Sequence, residues 1–191
     1  MTRQLAILLC ALASAPALAH ITPPIRLASD RDAVASLLAG ARRYFVREVR
    51  LTPAERQSIE KETGWAPEED FYRFYVGRDE QLHAVSAVLF LTEYTIHGQV
   101  RVAVGLSPDG KVKGAMVVEL SEETYPWVKT LIDRGFLRGF AGRDGHSSFA
   151  AAADGKGSMT QFYADILGSL VKRAALLYEV GILKRAPAGR R

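Results

Sequence analysis

Asp154-Gly155-Lys156-Gly157-Ser158-Met159-Thr160-Gln161 is a glycine-rich loop that runs into an apolar-periodic segment. Ser158 is a helix-capping residue type, and Gln161 stands three positions on, the spacing of a reciprocal capping box. A helix that begins here has first-turn amides with no internal partner and the positive end of its dipole. Both suit an anion, phosphate above all. Gly155 and Gly157 let the backbone come close to such a group, and Thr160 sets a hydroxyl beside it. The same pattern also serves as a plain helix cap. The Walker-type loop, Gly-x-x-x-x-Gly-Lys-Ser/Thr, does not occur. Asp144-Gly145-His146-Ser147-Ser148 gathers acid, base and nucleophile types. It lacks the Gly-x-Ser-x-Gly elbow, and sequence neighbours rarely form a triad, so His146 reads as a loop histidine. The four histidines (His20, His83, His97 and His146) have no metal-ligand spacing. No catalytic or metal-binding residue is assigned.

The elements that must position this loop can be read from pattern. Ser29 is expected to cap a helix with Val34, Leu37, Leu38, Ala41, Tyr44 and Phe45 at helical spacing. Thr52-Pro53-Ala54-Glu55 opens a second helix, ending near Gly64. Residues 71–76, 82–94, 100–104 and 112–120 are strand-like, with a turn at Pro108-Asp109-Gly110-Lys111. They predict an antiparallel meander. Residues 124–134 read as a helix stopped by Gly135, residues 136–140 as a short strand, and residues 141–156 as a loop. A long helix is expected from Ser158 to about Glu179, with Gly181 as its stop. Its stripe is Phe162, Ile166, Leu170, Ala174 and Leu177, flanked by Tyr163, Leu167, Val171 and Tyr178. Strands in the middle and helices at both ends give one α+β domain over residues 20–191.

The first nineteen residues differ from the rest. A short basic start at Arg3 precedes an apolar run over residues 5–15, too short to span a bilayer, and then Ala17-Leu18-Ala19. This predicts a signal peptide cleaved after Ala19 and a periplasmic mature chain. Cys10, the only cysteine, would leave with it. The net charge of +4 is scattered apart from Lys184, Arg185, Arg190 and Arg191, so no nucleic-acid partner is expected.

The segment from Asp154 to Thr160 resembles the flavinylation motif of the FMN-binding domain family. That family includes covalent-flavin subunits of the sodium-pumping NADH:quinone reductase and Rnf complexes, and the nitrous-oxide regulatory flavoproteins. The motif runs Asp, two variable residues, a small polar residue, Gly, Ala, Thr, and Asp154 lies six positions before Thr160 as it requires. Here Ser158-Met159 stand at the Gly-Ala positions, and Phe162 replaces a small polar residue common two positions after the threonine. His97-Gly98-Gln99-Val100 and the strands around Pro108 resemble the family's strand-turn-strand. Glu122-Glu123-Thr124-Tyr125-Pro126 resembles its Glu-Thr-Pro segment near the flavin, with Tyr125 inserted. Residues 136–142 resemble the hydrophobic element that follows. The similarity is clearest over residues 97–183.

The resemblance implies an FMN cofactor whose phosphate is esterified to Thr160 by an FAD:protein FMN transferase using magnesium. Ser158, Asp154, Gly157 and Met159 are the further cofactor-binding candidates of this segment, and Glu123 and Thr124 would meet the flavin's polar edge or orient the loop. Tyr125, Trp127 and Met159 are candidate walls for the ring. The implied role is electron transfer between a membrane or periplasmic redox partner, quinol- or haem-linked, and an acceptor. The competing reading is a flavin-free periplasmic module that binds a ligand or a partner, with Thr160 an ordinary first-turn residue.

Overall fold

The computed structural model describes residues 24–153, 155 and 157–185. The expected signal peptide and Asp154 lie outside the described residues. Six strands form one antiparallel sheet in the order β1-β6-β5-β4-β3-β2. They are β1 (Pro24–Arg26), β2 (Arg43–Val49), β3 (Tyr72–Arg78), β4 (Ala84–Thr95), β5 (Gly98–Leu106) and β6 (Val112–Ser121). From β2 to β6 each strand pairs with the next in sequence, a meander, and β1 closes on the far side of β6. Helices precede, interrupt and follow the meander, so the architecture is α+β.

Helix α1 (Asp30–Leu37) is capped by Ser29, whose Oγ accepts from the Asp32 amide at 3.1 Å. Sequence periodicity carries this helix to Phe45, but it stops at Leu38. Gly40 turns the chain at φ +96°, a value side chains rarely adopt, and Arg42 then donates to the Arg78 carbonyl. Tyr44 and Phe45 belong to β2, paired with Gly77 and Val76. Their β-branched and aromatic surroundings alternate as well as they spiral, and the waiting edge of β3 decides between the two. Helix α2 (Pro53–Thr63) forms as its sequence predicts. Thr52 and Glu55 close a reciprocal capping box, and the chain leaves through a left-handed Gly64.

The sheet separates two apolar layers. Ala33, Val34 and Leu38 of α1 pack on Val88, Ala103 and Val118. The larger layer lies on the other face, where α4 (Met159–Tyr178) buries Tyr163, Leu167, Leu170, Val171, Ala174 and Leu177 against Phe74, Leu89, Val102 and Val104. The expected stripe is thus rotated: Phe162 sits at its exposed margin, while Tyr163 is fully buried. Gly181 does not end the helix. The chain continues through a π-helical turn (Glu179–Leu183), and Gly181 is placed where a Cβ would meet Val49 Cγ1 at 2.5 Å. Its smallness serves this close approach to β2.

A 3₁₀ turn (Glu122–Thr124) leads from β6 into α3 (Tyr125–Asp133). The segment Phe136–Phe140, expected as a strand, is a second 3₁₀ turn. It follows a left-handed Gly135 whose carbonyl accepts from Arg138 N, and Phe136 packs edge-on to Phe140 with ring centres 5.2 Å apart. Local turn bonds win here: the left-handed Gly135 turns the chain off an extended path, and Arg138 N and Ala141 N then donate to the Gly135 and Arg138 carbonyls.

One ion pair ties α1 to the sheet. Arg101 donates to both oxygens of Asp30 at 2.5 and 2.9 Å while lying 4.5 Å over the Phe90 ring. The hydrogen bond from Arg101 holds the Asp30 carboxyl below its ordinary value, against the opposing effect of burial. A depressed carboxylate stabilises the fold above the unfolded-state pKa and loses that contribution as pH falls through the folded one. Asp30→Asn is therefore expected to cost about 0.5–1 kcal/mol at neutral pH, with half its side chain in water. The difference from wild type should be smaller at pH 3 than at pH 7, because the contribution is lost as pH falls below the unfolded-state value of about 3.9 and through the lower folded one. Urea midpoints at the two pH values check this.

Candidate functional site

Sequence pattern and structure agree on where α4 begins. Ser158 is extended (φ −73°, ψ 153°), its Oγ accepts from the Gln161 amide at 3.1 Å, and its carbonyl accepts from Phe162 N at 3.0 Å. Gly157 precedes it at φ +83° and is exposed. Met159 is half-buried against the core. A helix supplies no partner to the amides of its first two residues, here Met159 and Thr160, and the other described residues supply none. Two donors thus sit at the positive end of a twenty-residue helix.

The second half of the expected capping box is replaced. Ser158 N donates to the Gly155 carbonyl. The Gln161 side chain reaches into the preceding loop, where its Oε1 accepts from Ala153 N at 2.9 Å and its Nε2 donates to the Ala151 carbonyl at 3.2 Å. Nε2 also donates to Asp165 at 3.0 Å. Arg134, at the end of α3, donates to the Ala153 carbonyl at 3.0 Å. The loop that leads to Thr160 is therefore strapped from both helices. Thr160 keeps 9% of its surface, and among the described residues its hydroxyl has no hydrogen-bond partner.

Three positions after Thr160, and hence on the same side of the helix, lies Tyr163. Its ring stacks on Trp127 of α3 with centres 5.7 Å apart and planes 11° off parallel. Its hydroxyl shares a 3.1 Å hydrogen bond with Thr95 Oγ1. Burial pushes the Tyr163 hydroxyl's pKa up, partly offset by the Thr95 bond. Trp127 in turn meets His97 edge-on at 5.3 Å, and His97 Nδ1 lies 2.5 Å from Glu123 Oε1. A continuous series of contacts, Glu123 to His97 to Trp127 to Tyr163, joins the 3₁₀ turn before α3 to the first turns of α4.

The residues singled out from sequence thus fall into two groups at one end of the molecule. Gly157, Ser158, Met159 and Thr160 form the helix start; Glu123 and Thr124 form the turn before α3. They differ in availability. Glu123 is half in water. Thr124 is fully buried, and its hydroxyl donates to the Ser121 carbonyl at 3.0 Å, so it closes the turn. The His97–Glu123 pair and the loop strap made by Gln161 were not identified from sequence. The only signal for the first was that both residues lay in segments resembling one family. Around this end the surface is apolar: Ile96 is 94% exposed, Tyr94 76% and Phe162 44%.

Elsewhere, Ser147 Oγ donates to Asp144 Oδ1 at 2.8 Å, and His146 faces Glu179 at 3.0 Å. Ser147 therefore makes no triad with His146. Among the described residues, no three His, Cys, Asp or Glu side chains converge to hold a metal ion, and no helix is long and apolar enough to cross a membrane. In comparisons with known proteins, no family model, curated protein or solved structure matches this chain.

Proposed function

We propose that this chain is an exported electron carrier that holds FMN covalently through a phosphoester to Thr160. One observation carries the reading: among the described residues the Thr160 hydroxyl has no hydrogen-bond partner, and it lies in the same first turn as two amides that no described residue pairs. That donor set fits a phosphate group. The amides of Met159 and Thr160 would hold its oxygens, with Ser158 fixing the helix start. Bound flavin would supply one- and two-electron exchange.

The chain's own residues would do the rest. Trp127, partly exposed and stacked on the buried Tyr163, and the exposed Phe162 offer flat apolar surface beside the helix start. Glu123, as acceptor of a hydrogen on His97 Nδ1, would fix the orientation of the His97 ring against Trp127. Attachment forms a bond from Thr160 Oγ1 to the FMN phosphorus and breaks the pyrophosphate of FAD, with AMP leaving. The maturation partner is an FAD:protein FMN transferase using magnesium. The exposed Ile96, Tyr94 and Phe162 would then face the quinol- or haem-linked redox partner in the periplasm.

The test is the intact mass and visible spectrum of protein co-expressed in a periplasm with such a transferase, read before and after denaturation. An FMN-phosphoester mass with a flavin spectrum that survives denaturation is expected. Flavin released on denaturation would overturn the covalent bond. A colourless, unmodified chain would return the function to a ligand-binding module.

A further inference from the structure

A cleft of about 370 Å³ opens on the other side of α3, and no residue from Gly157 to Gln161 lines it. Its origin is topological. β1 pairs with β6 only over Glu119–Ser121, and Leu27 and Ala28 then both donate to the Val118 carbonyl before the chain turns away into α1. The outer edge of β6 is bonded again only at Val112, by Gly142 and Arg143. Between these points no described strand covers β6, and α3 with the turn after it forms a roof. Leu27, Ala115, Tyr125, Ile132, Phe136 and Leu167 make the walls. Leu27 and Ile132 are each 39% exposed, so the fold leaves this apolar surface to water.

The charges at the cleft are unequal. Lys129 and Asp133 neutralise each other at 2.5 Å. Arg138 has no carboxylate partner among the described residues, and its guanidinium folds over Gly135, where a Cβ would lie 2.1 Å from Nη2. The lining thus offers an apolar body and one unmatched planar cation. A guanidinium fork matches a single carboxylate in two parallel hydrogen bonds. A volume at the small end of ligand sites fits one short chain or ring.

We infer that this cleft binds a small apolar monocarboxylate, of the medium-chain fatty-acid class, with its hydrocarbon against Ala115 and Phe136 and its carboxylate on Arg138. The inference does not rest on flavin binding.

Calorimetric titration of the purified protein with dodecanoate, below its micelle concentration, tests it. Saturable binding of one molecule per chain is expected. Arg138→Gln should weaken dodecanoate about tenfold, the scale of a lost charged hydrogen bond, and leave dodecanol unchanged. Leu27→Trp, at an exposed lip where the larger side chain need not disturb the core, should abolish both. Thr160→Val should alter neither, which separates failure here from failure of the flavin reading. Absence of saturable binding, or equal affinity in Arg138→Gln or Leu27→Trp, would overturn the proposal.

Discussion

Thr160→Val is expected to fold as wild type does and to emerge from co-expression with the transferase carrying no flavin. Valine matches threonine in shape and removes only the hydroxyl. That hydroxyl has no hydrogen-bond partner among the described residues, so its loss leaves no described group unpaired. Replacing a nearly buried, unbonded hydroxyl with a methyl should change stability by less than about 1 kcal/mol, in either direction. The adduct, by contrast, has no other route: the phosphoester needs that oxygen. The expected effect is all or none in intact mass, against a thermal midpoint that barely moves. Thr160→Ser keeps the oxygen and should keep part of the adduct. An adduct persisting in Thr160→Val would place the bond on another residue.

Gly98→Ala is expected to be the most damaging small substitution near the site, costing about 3 kcal/mol through backbone strain and overlap. Gly98 starts β5 at φ +104°, outside the range side chains tolerate. A Cβ there would lie 2.2 Å from Ser121 Oγ and 2.5 Å from its Cβ. Ser121 cannot simply move aside, because its Oγ donates to the His97 carbonyl at 2.7 Å and so clamps the β4–β5 hairpin to the end of β6. Displacing it disturbs His97, and with it the contacts to Glu123 and Trp127. A urea midpoint measures the loss. Adding Ser121→Ala should recover the part due to Oγ overlap while leaving the cost of the dihedral, a coupling that a double-mutant cycle isolates. A loss below about 1 kcal/mol would show that the hairpin tip relaxes freely.

Features set by neighbouring residues were legible in the sequence. Thr52-Pro53-Ala54-Glu55 marks the start of α2 because cap, proline and carboxylate lie within one turn. The Pro108–Lys111 turn and the start of α4 at Ser158 are local for the same reason. Where distant segments compete, pattern alone was insufficient. Tyr44 and Phe45 satisfy both a helical and a strand period, and β3 selects the strand. Gln161 satisfies capping-box spacing, yet the carbonyl of Ala151 and the amide of Ala153 claim its side chain. Gly181 has the form of a helix stop, but the contact that explains it comes from Val49, far away in sequence. In the site, the first turn bearing Thr160 could be read. The His97–Glu123 contact could not, because it joins residues 26 positions apart across a hairpin tip and a turn.

The pairing of β1 with β6 has a consequence for the order in which the chain assembles. Every other strand pair joins neighbours in sequence, so the meander can form with short loop closures. The β1 contact, exemplified by Arg26 with Glu119, spans 93 positions. A chain made from its N-terminus presents β1 long before its partner exists, and α4 last of all. The first turn holding Thr160 is therefore completed only after the sheet it packs on. On the function proposed above, a maturation enzyme that recognises that turn would act on finished protein and spare the incomplete chain. Until β1 docks, the outer edge of β6 is open from Lys113 to Ser121, beyond the bonds that Gly142 and Arg143 make to Val112, and self-association during refolding should start there.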